Sequence, residues 1–169
     1  MALDLGALFR DYHESLVRML TRRTGDRARA EELAQETFAR AVAAPPVNPR
    51  PWLFAVALNL LREEGRNAAT RERRLVLVRD EEHVAPYERP DDAYEREETR
   101  LRVRAALACL PERDRDVLLL QAEGFDYDEI AQVTGLARGA IGTTLARARK
   151  RLHDVYTQGD GGNGHVARG

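Results

Sequence analysis

The chain has 169 residues, enough for one ordinary domain or two small ones, and a hydrophobic fraction of 43% that can fill a core. No apolar run approaches the roughly 20 residues of a membrane-spanning helix, and one cysteine, Cys109, excludes an internal disulfide framework and a cysteine-based zinc site. Twenty-seven basic against 28 acidic residues give a net charge of −1, which argues against a general polyanion binder until the charges are mapped along the chain.

They are segregated. Arginines outnumber acids from Met1 to Val78, and bases lead slightly again from Thr99 onward. Between them Asp80, Glu81, Glu82, Glu88, Asp91, Asp92, Glu95, Glu97 and Glu98 form an acidic stretch. The opening MALDLGALFR has no basic start, long apolar stretch or small-residue cleavage site, so a cytoplasmic location is expected.

Leu5, Leu8, Tyr12, Leu16 and Leu20 recur every three or four residues and predict a helix from about Asp4 to Arg23, ended by Gly25. Asp26 then caps a second helix with Leu33, Ala34, Thr37, Phe38, Ala41 and Val42 inward. Glu31, Glu32, Gln35, Glu36 and Arg40 are left outside. Acids in a first turn suit the helix dipole, which accounts for Glu31 and Glu32 but not for Gln35 and Glu36. The segment AAPPVNPRP from Ala43 to Pro51 is predicted to be a stiff, non-helical loop, because each proline removes a donor and restricts its predecessor.

A third helix is predicted to open at Trp52 and to run WLFAVALNLLREEGRN, its first half buried and its second half emerging. Trp52 is read as a core residue. Asn59, an amide in a nearly all-apolar run, needs a partner or an exposed site. Basic residues continue from Arg71 to Arg74, and Leu75 to Val78 is a short apolar run able to extend the helix or dock separately. Asp80 to Asp92 has two prolines, many acids and little to bury, and reads as a flexible linker. His83 within it has no cysteine or second histidine nearby to share a metal.

From Tyr94 to Leu110 the helical pattern resumes, with Leu101, Ala105, Ala108 and Cys109 predicted inward. Pro111 begins the next helix, packed through Val117, Leu118 and Leu120. Asp126 and Glu129 make a capping box for a short helix with Ile130, Ala131 and Val133 on its apolar side, and Gly135 supplies the turn. In the helix that follows, Ile141, Leu145, Ala148 and Leu152 form one stripe, opposite Arg147, Arg149, Lys150 and Arg151, with Arg138 at its start. After Tyr156 the chain becomes a Gly-rich tail, expected to be disordered. The pattern predicts an all-α chain of two small helical domains: residues 1–78, an acidic linker 79–93, a second domain 94–157 and a tail 158–169.

A capped short helix, a glycine turn and an amphipathic helix with a basic free side make a helix-turn-helix suited to the major groove. Nothing points to catalysis. The sequence has no glycine-rich phosphate loop, metal-ligand cluster or Ser/Cys–His arrangement, so no enzyme activity, cofactor or metal is expected.

Two motifs in order, AEELAQETFARA with WLFAVALNL, then LPERDRDVLLLQAEGFDYDEIA with ARGAIGTTLARARKRL, resemble the extracytoplasmic-function group of bacterial RNA polymerase sigma factors. The first resembles their region 2 and the second their region 4. The resemblance implies a promoter-specificity subunit that binds core polymerase and recognises minus-ten and minus-thirty-five elements. It implies that Glu32, Gln35, Glu36 and Arg40 meet the clamp helices of the largest subunit, with a further contact to the flap region. Asn59, Arg62 and Arg66 would face the minus-ten element, where a flipped base presents its Watson–Crick edge to an amide. Arg138, Thr143, Thr144 and Arg147 would face the minus-thirty-five duplex, with Arg149, Lys150 and Arg151 near phosphates. An anti-sigma protein is implied as a further partner.

The chain departs from that pattern at two places. The loop between Phe38 and Trp52 is shorter and richer in proline, and Gly142 and Thr144 stand where the group commonly has lysine and arginine. Two other readings stay open: a helix-turn-helix regulator acting without core polymerase, and a sigma-like decoy that mainly binds protein partners.

Overall fold

Seven helices, and no strand among the described residues, make up the computed structural model, which describes residues 4–72 and 91–160. They are α1 (Leu5–Thr24), α2 (Arg27–Ala43), α3 (Pro49–Glu72), α4 (Asp91–Ala108), α5 (Glu112–Ala122), α6 (Tyr127–Thr134) and α7 (Arg138–Asp160). The all-α expectation holds. The apolar run Leu75–Val78, His83 and the Gly-rich tail beyond residue 160 lie outside the described residues.

Side-chain caps set the first two helices. Asp4 accepts from the Ala7 N–H at 3.0 Å to start α1, and Asp26 accepts from the Arg29 N–H at 3.0 Å to start α2. Gly25 sits between them at φ 79°, a left-handed conformation that costs glycine little, and its N–H closes α1 on the Thr21 carbonyl at 2.8 Å. The two helices bury Leu16, Val17, Leu20, Leu33, Ala34 and Phe38 against each other and against α3. Val42, predicted inward, lies at the end of α2 and is 56% exposed.

The third helix begins earlier than the proline pattern predicts. Pro49 and Pro51 fall in its first turn, where backbone N–H groups have no intrahelical acceptor, so their missing donors cost nothing and the fixed φ favours helix entry. The non-helical segment shrinks to residues 44–48. Leu53, Phe54, Ala57, Leu58 and Leu60 are buried, while Trp52 packs half-buried against the same core.

In the second half, α5, α6 and α7 pack on one another and α4 lies along α7. The expected inward face of α4 is overturned. Leu101, Ala105, Ala108 and Cys109 are exposed, whereas Ala106 and Leu110 are buried. A helix with alanines on several sides has no single apolar stripe, so its partners decide which side is covered. This helix also begins at Asp91, taking in residues assigned to the linker.

The helix-turn-helix forms as its sequence predicts. Asp126 accepts from the Glu129 N–H at 2.8 Å and Glu129 accepts from the Asp126 N–H at 3.0 Å, completing the capping box. Gly135, at φ 73°, ends α6 with its N–H on the Ala131 carbonyl at 2.9 Å. Ile141, Leu145 and Ala148 then bury the inner stripe of α7.

The two halves are not held apart. One hydrophobic cluster runs from α1–α3 into α5–α7, and the rings of Phe54 and Phe125 meet across it with centroids 4.6 Å apart. The two rings are tilted by 60° to each other, within the roughly 4.5–7 Å centroid range of an interacting aromatic pair.

Candidate polymerase and nucleic-acid interfaces

Four side chains singled out on α2 share its outer surface. Glu32, Gln35, Glu36 and Arg40 are all exposed, and Arg40 donates to Glu36 one turn away at 3.0 Å. Arg29 also pairs with Glu32 and with Glu64 of α3. Exposed pairs of this kind contribute little to stability, so this face is available to a partner.

On α3, Asn59 is exposed, and its carbonyl oxygen accepts from the Arg62 guanidinium at 3.1 Å. The partner that an amide in an apolar helix requires is therefore one turn away. Arg62 also reaches across to α5, donating to Asp116 at 2.6 Å. Arg66 is exposed further along α3.

On α7, Arg138, Thr143, Arg147, Arg149 and Lys150 are exposed. Thr144 is different. Its side chain is turned into the interior, the residue is 5% exposed, and its hydroxyl donates to the Ala140 carbonyl at 2.7 Å. This corrects its expected place on the DNA-facing surface: three residues after Ile141, it falls within the buried stripe. Several exposed cations have acidic partners. Arg138 meets Asp128 at 2.5 Å, Lys150 meets Asp154 at 2.8 Å, Arg151 pairs with Asp114, and Arg147 lies 4.0 Å from the same Asp114. Lys150 holds the Asp154 carboxyl below the usual carboxylate range through its hydrogen bond.

Sequence reasoning missed the residues that join the halves. Glu123 and Asp116 have side chains exposed to only 1%, and each takes two arginines. Glu123 accepts from Arg18 at 2.6 Å and Arg22 at 3.2 Å; Asp116 accepts from Arg23 at 3.1 Å as well as from Arg62. Arg50 donates to Glu129 at 2.8 Å and to the Glu123 carbonyl at 3.0 Å, with its guanidinium 4.0 Å from the Phe125 ring centroid. The Glu123 carboxylate raises the pKa of Arg18 still further, first through the hydrogen bond and then through its charge. Burial lowers that of Arg115, and the neighbouring Arg23 adds to the effect. No local sequence signal marks these pairs.

Asp116 and Arg62 also line a polar cleft of about 680 Å³, together with Asp114 from α5 and Arg147 and Arg151 from α7. Arginines expected to serve two separate DNA elements therefore meet in one place. Among the described residues, no group of three or more His, Cys, Asp or Glu is arranged to hold a metal, and no helix is long and apolar enough to cross a membrane.

Fold and surface chemistry together define a helix-turn-helix protein whose all-helical front half carries a second set of exposed polar and basic groups. The sigma-70 region 2 family matches residues 8–71 and the sigma-70 region 4 family matches residues 100–152. The chain is 35% identical over 136 residues to the ECF RNA polymerase sigma factor EcfG of Rhodopseudomonas palustris, covering 76% of this chain and 72% of that protein. It is 33% identical over 153 residues to the ECF RNA polymerase sigma factor SigL of Mycobacterium tuberculosis, covering 86% and 85%. The solved structure of CnrH in complex with the cytosolic domain of CnrY matches with a TM-score of 0.66 at 25% identity, covering 91% of this chain and 88% of that one. The sigma factor RpoE of Bartonella quintana, solved with the anti-sigma factor NepR, shares the fold with a TM-score of 0.68 at 23% identity. The chain belongs to the extracytoplasmic-function group of RNA polymerase sigma factors.

Proposed function

We propose that this sigma factor binds core polymerase through the outer face of α2 and directs initiation by contacting promoter DNA with α3 and α7. Glu32, Gln35, Glu36 and Arg40 meet the clamp helices of the largest subunit, and the region 4 half meets the flap. Asn59, Arg62 and Arg66 act at the minus-ten element; Arg138, Thr143, Arg147, Arg149 and Lys150 act at the minus-thirty-five element. The chain supplies no bond-breaking chemistry; the polymerase does. The observation that carries this reading is the presence of region 2 and region 4 in that order within one chain. The exposure of Asn59 and of the α2 face supports the residue roles. An anti-sigma protein is the expected regulator, since the sigma factor RpoE of Bartonella quintana, which shares the fold, was solved with the anti-sigma factor NepR.

The test is reconstitution. The purified chain is added to core polymerase on a genomic fragment library and transcript starts are sequenced. Discrete starts are expected, and Asn59→Ala is expected to impair opening at the minus-ten element while leaving core binding intact. Starts scattered without sequence preference, or none at all, would reject the assignment.

A further inference from the structure

Between the last turn of α1, the second half of α4 and the start of α5 lies a pocket of about 280 Å³. Four arginines line it, Arg22 and Arg23 from α1, Arg104 from α4 and Arg115 from α5; among the described residues no carboxylate does. Leu101, Leu107 and Leu119 add an apolar wall. The negative end of the α1 dipole accounts for Arg22 and Arg23, and both have acidic partners, Glu123 for the first and Asp116 and Glu112 for the second. It does not account for the other two. Arg104 makes no hydrogen bond or ion pair among the described residues, and its stem passes so close to Gly25 that a Cβ there would lie 3.3 Å from the Arg104 Cδ. The Nε–H of Arg115 is buried with no hydrogen-bond partner among the described residues, a costly state for a donor on a charged group. Burial, and then the charge of Arg23, also disfavour the charged form of Arg115. An anion rich in acceptors satisfies that donor and offsets that repulsion together.

We propose that this pocket binds a compact anion carrying two or more phosphate groups. Its volume lies just below the roughly 300 Å³ at which pockets for drug-sized ligands begin, so the anion itself is small. Phosphate oxygens accept from a guanidinium fork in pairs, and linked phosphates serve several forks where one carboxylate serves one. A second space of about 540 Å³ adjoins along α1 and α4, sharing Arg22, Arg104 and Leu107 with the first. Glu14 is the one acid lining it, which places phosphate in the first pocket and leaves the second for whatever the phosphate is attached to. A free diphosphate and the diphosphate end of a nucleotide share this chemistry. None of the four arginines is assigned above to polymerase or promoter, so the site stands apart from the proposed function.

The test is calorimetric titration of the full chain, without polymerase, with sodium pyrophosphate and separately with ADP at fixed ionic strength. Saturable binding of pyrophosphate is expected, weakened on the order of ten-fold in Arg104→Gln and in Arg115→Gln, the scale of one lost charged hydrogen bond. Arg96→Gln, at an exposed position of α4 outside the pocket, removes the same charge and is expected to leave the affinity unchanged. To guard against a disturbed α5 in Arg115→Gln, the Arg115 Nε–H of the wild type is followed by NMR and is expected to shift with the same saturation. ADP binding more tightly than pyrophosphate supports the site as one for nucleotides, and the reverse order supports it as one for free diphosphate. No saturable binding of either anion overturns the proposal. So does equal weakening in Arg96→Gln, or binding that leaves the Arg115 Nε–H unmoved.

Discussion

Arg23 of α1 donates its Nε–H to Asp116 of α5 at 3.1 Å, both side chains nearly sealed from solvent at 8% and 1% exposure. Arg23→Met keeps the aliphatic stem and removes the charge, leaving Asp116 with Arg62 alone. Loss of one partner from a buried pair is expected to destabilise the fold by about 2 kcal/mol in urea unfolding. Relief of the Arg23–Arg115 repulsion offsets part of that loss. A variant as stable as wild type would show that the site is wetter than its burial implies.

Removing the α6 cap has a local cost. Asp126→Ala deletes the acceptor for the Glu129 N–H and is expected to lower stability by about 1 kcal/mol, read as a drop in Tm. If α7 meets duplex DNA as proposed, binding is expected to fall with it, because α6 packs directly on α7.

Gly142 lies inside α7, where glycine costs a helix about 1 kcal/mol relative to alanine. A Cβ there would lie 3.4 Å from the Tyr127 ring, an ordinary van der Waals contact. Gly142→Ala is therefore expected to raise Tm, with no loss of helicity in circular dichroism. A lower Tm would mean that Tyr127 cannot give way.

The depressed pKa of Asp154 sets the sign of a pH effect. A carboxyl with a folded pKa below its unfolded value contributes stability above the unfolded value, and that contribution disappears as pH falls through the folded one. Lys150→Ala should move the Asp154 titration upward in a side-chain NMR experiment. Any stability difference between variant and wild type should vanish in acid.

Local chemistry was readable in the residues themselves. The caps at Asp26 and Asp126, the turn at Gly135 and the stripe of Ile141, Leu145 and Ala148 each depend on neighbours within about one turn. Thr144 is the exception: the resemblance puts it on the DNA-facing side, although helical spacing from Ile141 places it in the buried stripe. Prolines read as helix breakers hide the start of α3, because a helix's first turn tolerates them. The packed side of α4 and the buried roles of Asp116 and Glu123 were not legible. Arg18 and Glu123 are 105 residues apart, and a charged residue that will be buried against a distant partner has the same local pattern as one in solvent.

That separation orders events during synthesis. Arg18, Arg22, Arg23, Arg50 and Arg62 all leave the ribosome before Asp116, which follows Arg62 by 54 positions. Because folding during translation proceeds from the N-terminus, the front helices pass through a stage with a bare cationic flank beside ribosomal RNA. The carboxylates that pair with those arginines arrive only with α5 and the residues after it.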